Sequence, residues 1–395
     1  MKTNEPFVEV DCRQQQKSGN EICGDVFLSK KIPEENRTIV VLSDGLGSGV
    51  KANILASMTA SMALNFIKVH SPIGYTAKII MNTLPVDNFR KISYSTFTIM
   101  DIEGNRKVKL IEFGNPAVLI RRKGSFFTPE KSEISIKSNI PAKQRLFTSE
   151  FEIGLDDRII FFTDGVTQSG MGNESMPFGW GRQNLCQYVE EMLQEKEDFS
   201  AEEVAHGIVK RAVKNDHHTS RDDISCGVVY FRRPRKVLFC TGPPFKEEND
   251  RYLSEQIAGF PGQVIISGGT TAWIAGRELN REINVCLESY SGELPPESEM
   301  RGVDLITEGI LTLGKVSEYL EKLNHLRDPI PGPAGKIIRY FHDNDEIRFL
   351  VGTRVNEAHQ DPNLPVELAI RRNVVKKIGR LLEEKFLKKV EIKYI

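Results

Sequence analysis

The stretch RTIVVLSDGLGSG (37–49) joins an apolar run to a polar, glycine-rich end. Residues 37–43 are short, apolar and rich in β-branched side chains, which predicts a buried strand. The strand ends at Asp44-Gly45, and residues 47–49 have the composition of a turn. Beyond the turn, apolar residues recur every four positions, which predicts a helix over 51–67 with one apolar face. The residues of that face are Ile54, Met58, Met62 and Phe66.

Other segments repeat this strand-and-aspartate pattern. FTDGVTQSG (162–170) follows the apolar run 158–163, and SRDDIS (220–225) leads into the apolar run 224–231. CGDVF (23–27) places a further aspartate near the start of the chain. Strand-like runs outnumber helical ones and several are consecutive. This favours an α+β domain with antiparallel sheets over a doubly wound one.

Carboxylates at strand ends suit a metal site. Mg²⁺ and Mn²⁺ prefer oxygen ligands, and glycine lets a backbone carbonyl approach the ion. Without a cation, clustered aspartates would repel one another and raise each other's pKa. Asp-Gly is also a very common turn dipeptide. The residues by themselves therefore leave a metal site and a set of plain turns as alternatives.

Length and charge limit the possibilities further. The 395 residues predict two domains. The 53 Lys and Arg nearly balance the 54 Asp and Glu, so we expect neither nucleic acid nor membrane as a partner. No apolar run reaches the ~20 residues of a membrane span, and residues 1–16 lack the layout of a signal peptide. A cytoplasmic location is the expectation.

The second half of the chain has a different pattern. The charged run 232–236 is the predicted linker, and residues 237–395 alternate strand, turn and helix, which predicts a smaller α/β domain. The turn at 267–271 (SGGTT) is either a ligand-binding turn or a plain tight turn. Several turns at strand ends would face one cleft, so a small ligand of this domain is a hypothesis. The basic segment near the C-terminus is predicted to be an amphipathic helix.

Seven motifs in order carry a family resemblance. They are CGDVF, LSDGLGSG, STFTIMDIEG, FGNPAVLIRRKG, FFTDGVTQSG, FGWGRQNL and SRDDIS. Over residues 21–231 the chain resembles the type 2C-like metal-dependent phosphatases, in the bacterial branch typified by stage II sporulation protein E. The resemblance implies a β-sandwich flanked by helices over residues 1–232. It does not extend to the α/β domain at 237–395, whose role is regulatory or ligand-sensing in our hypothesis.

The resemblance also implies two Mn²⁺ or Mg²⁺ ions and a role for each site residue. Asp44 would bridge both metals, and Gly45 would offer its carbonyl. Asp164 and Asp222 would be the remaining direct ligands, and these two with Asp44 form the predicted catalytic set. Asp25 would contact the metals directly or through water, and Asp223 would support the site. The family has a further aspartate after its early motif, which this chain lacks.

The implied activity is hydrolysis of phosphoserine or phosphothreonine on a partner protein by metal-activated water. In relatives that partner is an anti-sigma-factor antagonist in bacterial partner switching. A homodimer is a further expectation. Arg13 is a candidate for the arginine that meets phosphate in the eukaryotic branch. His217 and His218 are either general acids or part of a polar loop.

Two other functions compete with this one. The first is a phosphatase-fold binding module without activity, against which the intact Asp44, Asp164 and Asp222 argue. The second is a sensor, in which a ligand of residues 237–395 controls the first domain.

Overall fold

The computed structural model of the chain describes residues 6–83, 95–134, 145–286, 297–323, 330–354, 364–386 and 388–395. The chain divides into two compact units, Met1–Arg233 and Pro234–Ile395.

The first unit is built on two antiparallel sheets. In chain order its strands are β1 (Phe7–Gln15), β2 (Asp25–Ile32), β3 (Arg37–Gly45), β4 (Ser95–Glu103), β5 (Lys107–Phe113), β6 (Leu119–Arg122), β7 (Ser125–Phe127), β8 (Ser132–Ile134), β9 (Leu146–Glu152), β10 (Arg158–Phe162) and β11 (Ile224–Arg232). A five-stranded sheet has the order β1-β11-β10-β6-β7, and a six-stranded sheet has the order β2-β3-β4-β5-β9-β8. Neighbouring strands pair antiparallel throughout both sheets.

Helices cover both outer faces of this pair of sheets. They are α1 (Gly49–Lys68), α2 (Ile73–Thr83), α3 (Asp164–Gln168), α4 (Gly181–Glu195) and α5 (Ala201–Asn215). Successive residues of a strand point to opposite faces of its sheet, so alternate residues pack in different layers of the unit. Leu42 and Phe161 pack between the sheets. Ile39 packs on the α1 and α2 side, and Ile160 packs on the α3 to α5 side. The first unit is therefore a β-sandwich between two helical layers.

Helix α1 confirms the predicted helix but buries a different face. Ile54 and Met58 of the predicted apolar face are 54% and 48% exposed. The buried residues of α1 are mostly small, namely Ala52, Ala56, Thr59, Ala60, Ala63 and Ile67. The cause is close packing: a Cβ added to Gly45 on β3 would lie 2.1 Å from the carbonyl oxygen of Ala52. Small side chains allow this approach, whereas a row of Ile and Met would not.

The second unit is a mostly parallel sheet with helices on both faces. Its strands are β12 (Lys236–Thr241), β13 (Gln263–Ser267), β14 (Asn284–Cys286), β15 (Glu297–Met300), β16 (Val303–Thr307), β17 (Glu346–Val351) and β18 (Lys389–Tyr394). Its helices are α6 (Asp250–Gly259), α7 (Gly269–Leu279), α8 (Ile310–Lys322), α9 (Gly332–Asp343) and α10 (Leu364–Glu384). The sheet order is β14-β15-β16-β13-β12-β17-β18, and the five strands from β16 to β18 in that order are parallel.

The helices of the second unit separate by face. α6 and α7 pack against side chains such as Cys240 and Ile266 on one face of the sheet. α8, α9 and α10 pack against side chains such as Phe239 and Ile265 on the other. The basic C-terminal helix predicted from the sequence corresponds to α10.

The predicted fold class is confirmed: a helix-flanked β-sandwich is followed by a smaller α/β unit. Of the helices that the structure describes, none has both the length and the apolar character that crossing a membrane would require.

Candidate metal centre

The predicted site aspartates meet at one end of the sandwich. Asp25 and Asp44 lie directly opposite each other on β2 and β3. Asp164 is the first residue of α3, and Thr163 separates it from the end of β10. Asp222 comes just before β11, which pairs with β10. Burial raises the pKa of Asp44, and the negative charges of Asp25, Asp164 and Asp222 raise it further. The fold thus brings together carboxylates that are far apart in sequence.

Asp25 is held by side chains from the opposite sheet. Its carboxylate is 3% exposed and accepts hydrogen bonds from the hydroxyls of Ser225 (2.6 Å) and Thr163 (2.9 Å). The side chain of Gln14 on β1 donates to the Ser225 hydroxyl (3.0 Å) and to the Asp25 carbonyl (3.2 Å). These three residues link the two sheets at the site and fix the orientation of Asp25. None of these three residues was among the site residues predicted from the sequence.

The site carboxyls are perturbed by burial and by one another. Burial raises the pKa of Asp25 to about 7, against the opposing effect of hydrogen bonds from Ser225 and Thr163, and the charges of Asp223 and Asp222 raise it further. Burial is also the largest cause that raises the pKa of Asp44 well above its usual value. Such mutual repulsion at pH 7 is relieved by a bound cation.

Asp164 and Asp222 occupy less buried positions at the same end. Burial raises the pKa of Asp164, and a 2.7 Å hydrogen bond from the Gln168 side chain opposes this. Burial raises the pKa of Asp222, while the positive charge of Lys17 lowers it. The backbone N–H of Lys17 also donates to Asp223 (3.0 Å). Lys17 therefore brings a positive charge close to the carboxylates.

Glycines make the close approaches that bring these segments together. A Cβ on Gly165 would lie 2.1 Å from the carbonyl oxygen of Asp223. A Cβ on Gly24 would lie 2.7 Å from Oδ2 of Asp223. The glycines that follow or precede the site aspartates thus have a packing role, whether or not their carbonyls bind a metal.

The variant Gly165→Ala should lose about 1–3 kcal/mol of unfolding free energy, because the added methyl group must displace α3 from the Asp223 backbone. Urea denaturation measures the loss. Gly314→Ala in α8 is the matched control, since its Cβ would meet nothing within 4 Å. We expect it to be neutral or to stabilise by up to about 1 kcal/mol. Equal denaturation midpoints for Gly165→Ala and the wild type would contradict the close approach.

The residues present fit a hard divalent cation. All the clustered side-chain ligands are carboxylates, the donors that Mg²⁺ and Mn²⁺ favour. Oδ2 of Asp223 is buried and has no hydrogen-bond partner. Among the described residues, no three His, Cys, Asp or Glu side chains are grouped tightly enough to hold an ion by themselves. Mg²⁺ usually keeps several waters and needs one or two carboxylates, so it can bind to aspartates that are not tightly grouped.

The other sequence candidates lie elsewhere. Arg13 forms an ion pair with Glu202 on α5, on the helix side of its sheet, so the structure does not place it as a phosphate contact. His217 and His218 are exposed, with left-handed φ values of 52° and 62°, in the loop after α5.

The comparisons with known proteins concern mainly the first unit. Residues 34–232 match the family model of stage II sporulation protein E (SpoIIE). A search of curated proteins found no match.

Several solved structures are similar to the chain. One contains the PP2C phosphatase domain and a fragment of the regulatory domain of SpoIIE from Bacillus subtilis, with 16% identity over 58% of this chain and a TM-score of 0.46; the chain spans 65% of that protein's length. A structure of RsbU and RsbW domains from Mycobacterium tuberculosis has 14% identity over 65% of this chain and 68% of its own, with a TM-score of 0.45. RsbX in complex with magnesium has 19% identity over 57% of this chain and 95% of its own, with a TM-score of 0.40.

Proposed function

The chain belongs to the stage II sporulation protein E family, and from this premise we propose that its first unit hydrolyses phosphoserine or phosphothreonine on a partner protein with Mn²⁺ or Mg²⁺ as cofactor. The observation that carries the proposal is the convergence of Asp25, Asp44, Asp164 and Asp222, whose burial and mutual charge raise the pKa of Asp44. A protein keeps so unfavourable a cluster when a cation neutralises it.

Each site residue has a role in this proposal. Asp44, Asp164 and Asp222 would be the carboxylates that hold the two metal ions. Gly45 would present its carbonyl, and Asp223 would support the Asp222 position. The ions, when bound, would activate a water and offset charge on the phosphoryl group. Thr163 and Ser225 keep Asp25 in one orientation, and Gln168 does the same for Asp164.

Lys17 is proposed as the residue that binds the substrate phosphate. Its backbone is fixed by the hydrogen bond to Asp223, and its charge is felt at Asp222. A lysine at the edge of a metal centre can bind a phosphate oxygen as a point charge. In this proposal Lys17 has the phosphate-binding role for which Arg13 was the candidate from the sequence.

Lys17→Ala should raise KM for a phosphoserine peptide by about tenfold and change kcat little, because a charged hydrogen bond to the ground-state phosphate is lost. Steady-state rates at saturating Mn²⁺ measure both constants. Lys17→Arg should recover most of the affinity, and Lys210→Ala on the exposed face of α5 should change neither constant. An unchanged KM in Lys17→Ala would remove this residue from the substrate site.

Exposed apolar side chains in the segments that adjoin the site aspartates in sequence support a protein substrate. Ile22 precedes Asp25 and is 39% exposed, and Val50 follows the Asp44 turn and is 65% exposed. Met171 and Phe178, in the segment after α3, are 40% and 89% exposed. Exposed apolar patches commonly mark protein interaction sites. An anti-sigma-factor antagonist carrying phosphoserine is the partner that we propose.

Hydrolysis of p-nitrophenyl phosphate by the full chain tests the activity. We expect turnover with Mn²⁺ and none with EDTA. Absence of turnover with either metal, together with Mn²⁺ binding in calorimetry and no phosphate release from phosphopeptides, would favour the binding-module alternative.

A further inference from the structure

The Asp25 carboxylate is held at one of its two oxygens. Its Oδ2 accepts hydrogen bonds from the hydroxyls of both Ser225 (2.6 Å) and Thr163 (2.9 Å). Asp25 is 3% exposed and the other two residues are fully buried, so solvent has little access to these contacts. A carboxylate oxygen has two lone-pair sites. The two hydroxyls therefore use the full hydrogen-bonding capacity of Oδ2.

The direction of both hydrogen bonds is determined by a donor behind each hydroxyl. The backbone N–H of Ser225 donates to the Thr163 hydroxyl (3.1 Å), and the Gln14 side chain donates to the Ser225 hydroxyl (3.0 Å). An N–H group can only donate, so each hydroxyl must direct its single proton to a different atom. That atom is Oδ2 of Asp25 in both cases. The protons of the two hydroxyls thus both point to the same carboxylate oxygen.

The orientation of the Gln14 amide is in turn fixed by the backbone. Its nitrogen lies 3.2 Å from the carbonyl oxygen of Asp25, which can only accept a hydrogen bond. The amide nitrogen rather than the amide oxygen must therefore face the site. Its two hydrogens match the two acceptors there, namely the Asp25 carbonyl and the Ser225 hydroxyl. A chain of directed hydrogen bonds consequently runs from β1 through β11 to the carboxylate on β2.

The other oxygen of Asp25, Oδ1, remains for a cation. Asp25 and Asp44 are opposite each other on paired strands, so their side chains project from the same face of the sheet. Ca²⁺ takes six to eight oxygen ligands and often uses both oxygens of one carboxylate, whereas Mg²⁺ requires an octahedral set with short bonds and keeps several waters. A carboxylate that offers one oxygen therefore suits the smaller ion better.

We propose that Ser225 and Thr163 are positioning residues that select the cation of the candidate metal centre. Their hydroxyls occupy Oδ2 of Asp25, so that the carboxylate offers a cation only Oδ1. The centre therefore favours Mn²⁺ and Mg²⁺ over Ca²⁺, which loses the possibility of binding Asp25 through both oxygens. This selectivity rests on the proposed function, since it presupposes that the aspartates bind a metal.

Calorimetric titration of the metal-stripped full chain with Mn²⁺ and with Ca²⁺ tests the proposal. We expect the wild type to bind Mn²⁺ more tightly than Ca²⁺. Ser225→Ala should weaken Mn²⁺ binding about tenfold, because outer partners orient the ligands of a metal. It should weaken Ca²⁺ binding less, because one lone pair of Oδ2 becomes available to the larger ion. The ratio of the two affinities should therefore fall, whereas a general loss of structure would lower both affinities by the same factor.

A pair of variants at Thr163 separates positioning from packing. Thr163→Val keeps the shape of the side chain and loses the hydroxyl, so it should weaken Mn²⁺ binding about tenfold. Thr163→Ser loses a methyl group and keeps the hydroxyl, so it should bind Mn²⁺ nearly as the wild type does. A packing role predicts the opposite order. Ser149→Ala is the control for Ser225→Ala and should leave both affinities unchanged. Ser149 is a buried serine of β9, and its hydroxyl has no hydrogen-bond partner among the described residues.

The outcomes distinguish this proposal from the proposed activity. Mn²⁺ binding by the wild type with an unchanged affinity ratio in Ser225→Ala would overturn the role of the hydroxyls and leave the phosphatase proposal intact. Weaker Mn²⁺ binding by Thr163→Ser than by Thr163→Val would do the same. No Mn²⁺ binding by the wild type would overturn the metal centre and this selectivity together. Melting temperatures identify a variant that does not fold, in which case the variants at the other position decide.

Discussion

Asp44→Asn should lower kcat/KM for a phosphoserine peptide by about 10³-fold and abolish tight Mn²⁺ binding. Asparagine keeps the shape of the side chain but removes the charge that three neighbouring carboxylates surround. The strand pairing of Asp44 with Asp25 is made by backbone atoms, so the substitution should leave the fold intact. Steady-state kinetics and calorimetric titration with Mn²⁺ measure the two effects on the same preparation.

Asp156→Asn is the control for this substitution. Asp156 is exposed, lies in the turn before β10, and has a φ of 67°, a conformation that Asn adopts as readily as Asp. We expect wild-type activity and Mn²⁺ affinity. Full activity in Asp44→Asn would contradict the assignment of this residue, whatever the control shows.

The metal-free protein should become less stable as the pH rises from about 4 to about 7, because Asp25 binds its proton more tightly when folded, with a pKa of about 7. Below pH 4 the carboxyl is protonated in both states and contributes no difference. Above pH 7 the folded state holds a buried charge, at a cost of about 1.4 kcal/mol for each pKa unit between the two states. Melting curves in EDTA across this range measure the change.

Asp25→Asn should remove the part of this pH dependence that Asp25 contributes, whereas the raised pKa of Asp44 keeps the rest. The amide oxygen still accepts from Ser225 and Thr163, but no charge has to be buried near Asp223 and Asp222. At pH 8 without metal the variant should therefore be more stable than the wild type, whereas at pH 4 the two should melt alike. Excess Mn²⁺ should stabilise the wild type at pH 8 and reduce the difference in stability between the wild type and the variant. A variant less stable than the wild type at pH 8 in EDTA would show that the buried Asp25 charge does not destabilise the folded protein.

Local sequence patterns predicted the framework of the site well. The apolar runs 37–43, 158–163 and 224–231 correspond to β3, β10 and β11, because a buried strand leaves a clear continuous apolar signal. Since the aspartates stand at the ends of these strands, the pattern indicated where they lie in the chain. It did not show that they converge.

Contacts between segments that are far apart along the chain could not be predicted from the sequence. Thr163 and Ser225 are ordinary strand-end residues in sequence, and only the stacking of the two sheets brings them to Asp25, 138 and 200 positions away. The sequence also did not show which face of α1 is buried. A four-residue apolar repeat predicts that its own face is buried, whereas the close backbone packing at Gly45 requires the face with the alanines. In the second unit the SGGTT turn was recognised in the sequence. Glu308 and Thr312 follow β16, and only the pairing of β13 with β16 brings that segment close to the turn.

A crystal structure of the full chain soaked with Mn²⁺ and phosphate, with anomalous data at the manganese edge, tests the metal-centre assignment most directly. We predict two anomalous peaks at the Asp44 carboxylate, with Asp164 and Asp222 as neighbours. Manganese bound only elsewhere, or no anomalous density between these three aspartates at saturating Mn²⁺, would contradict the account.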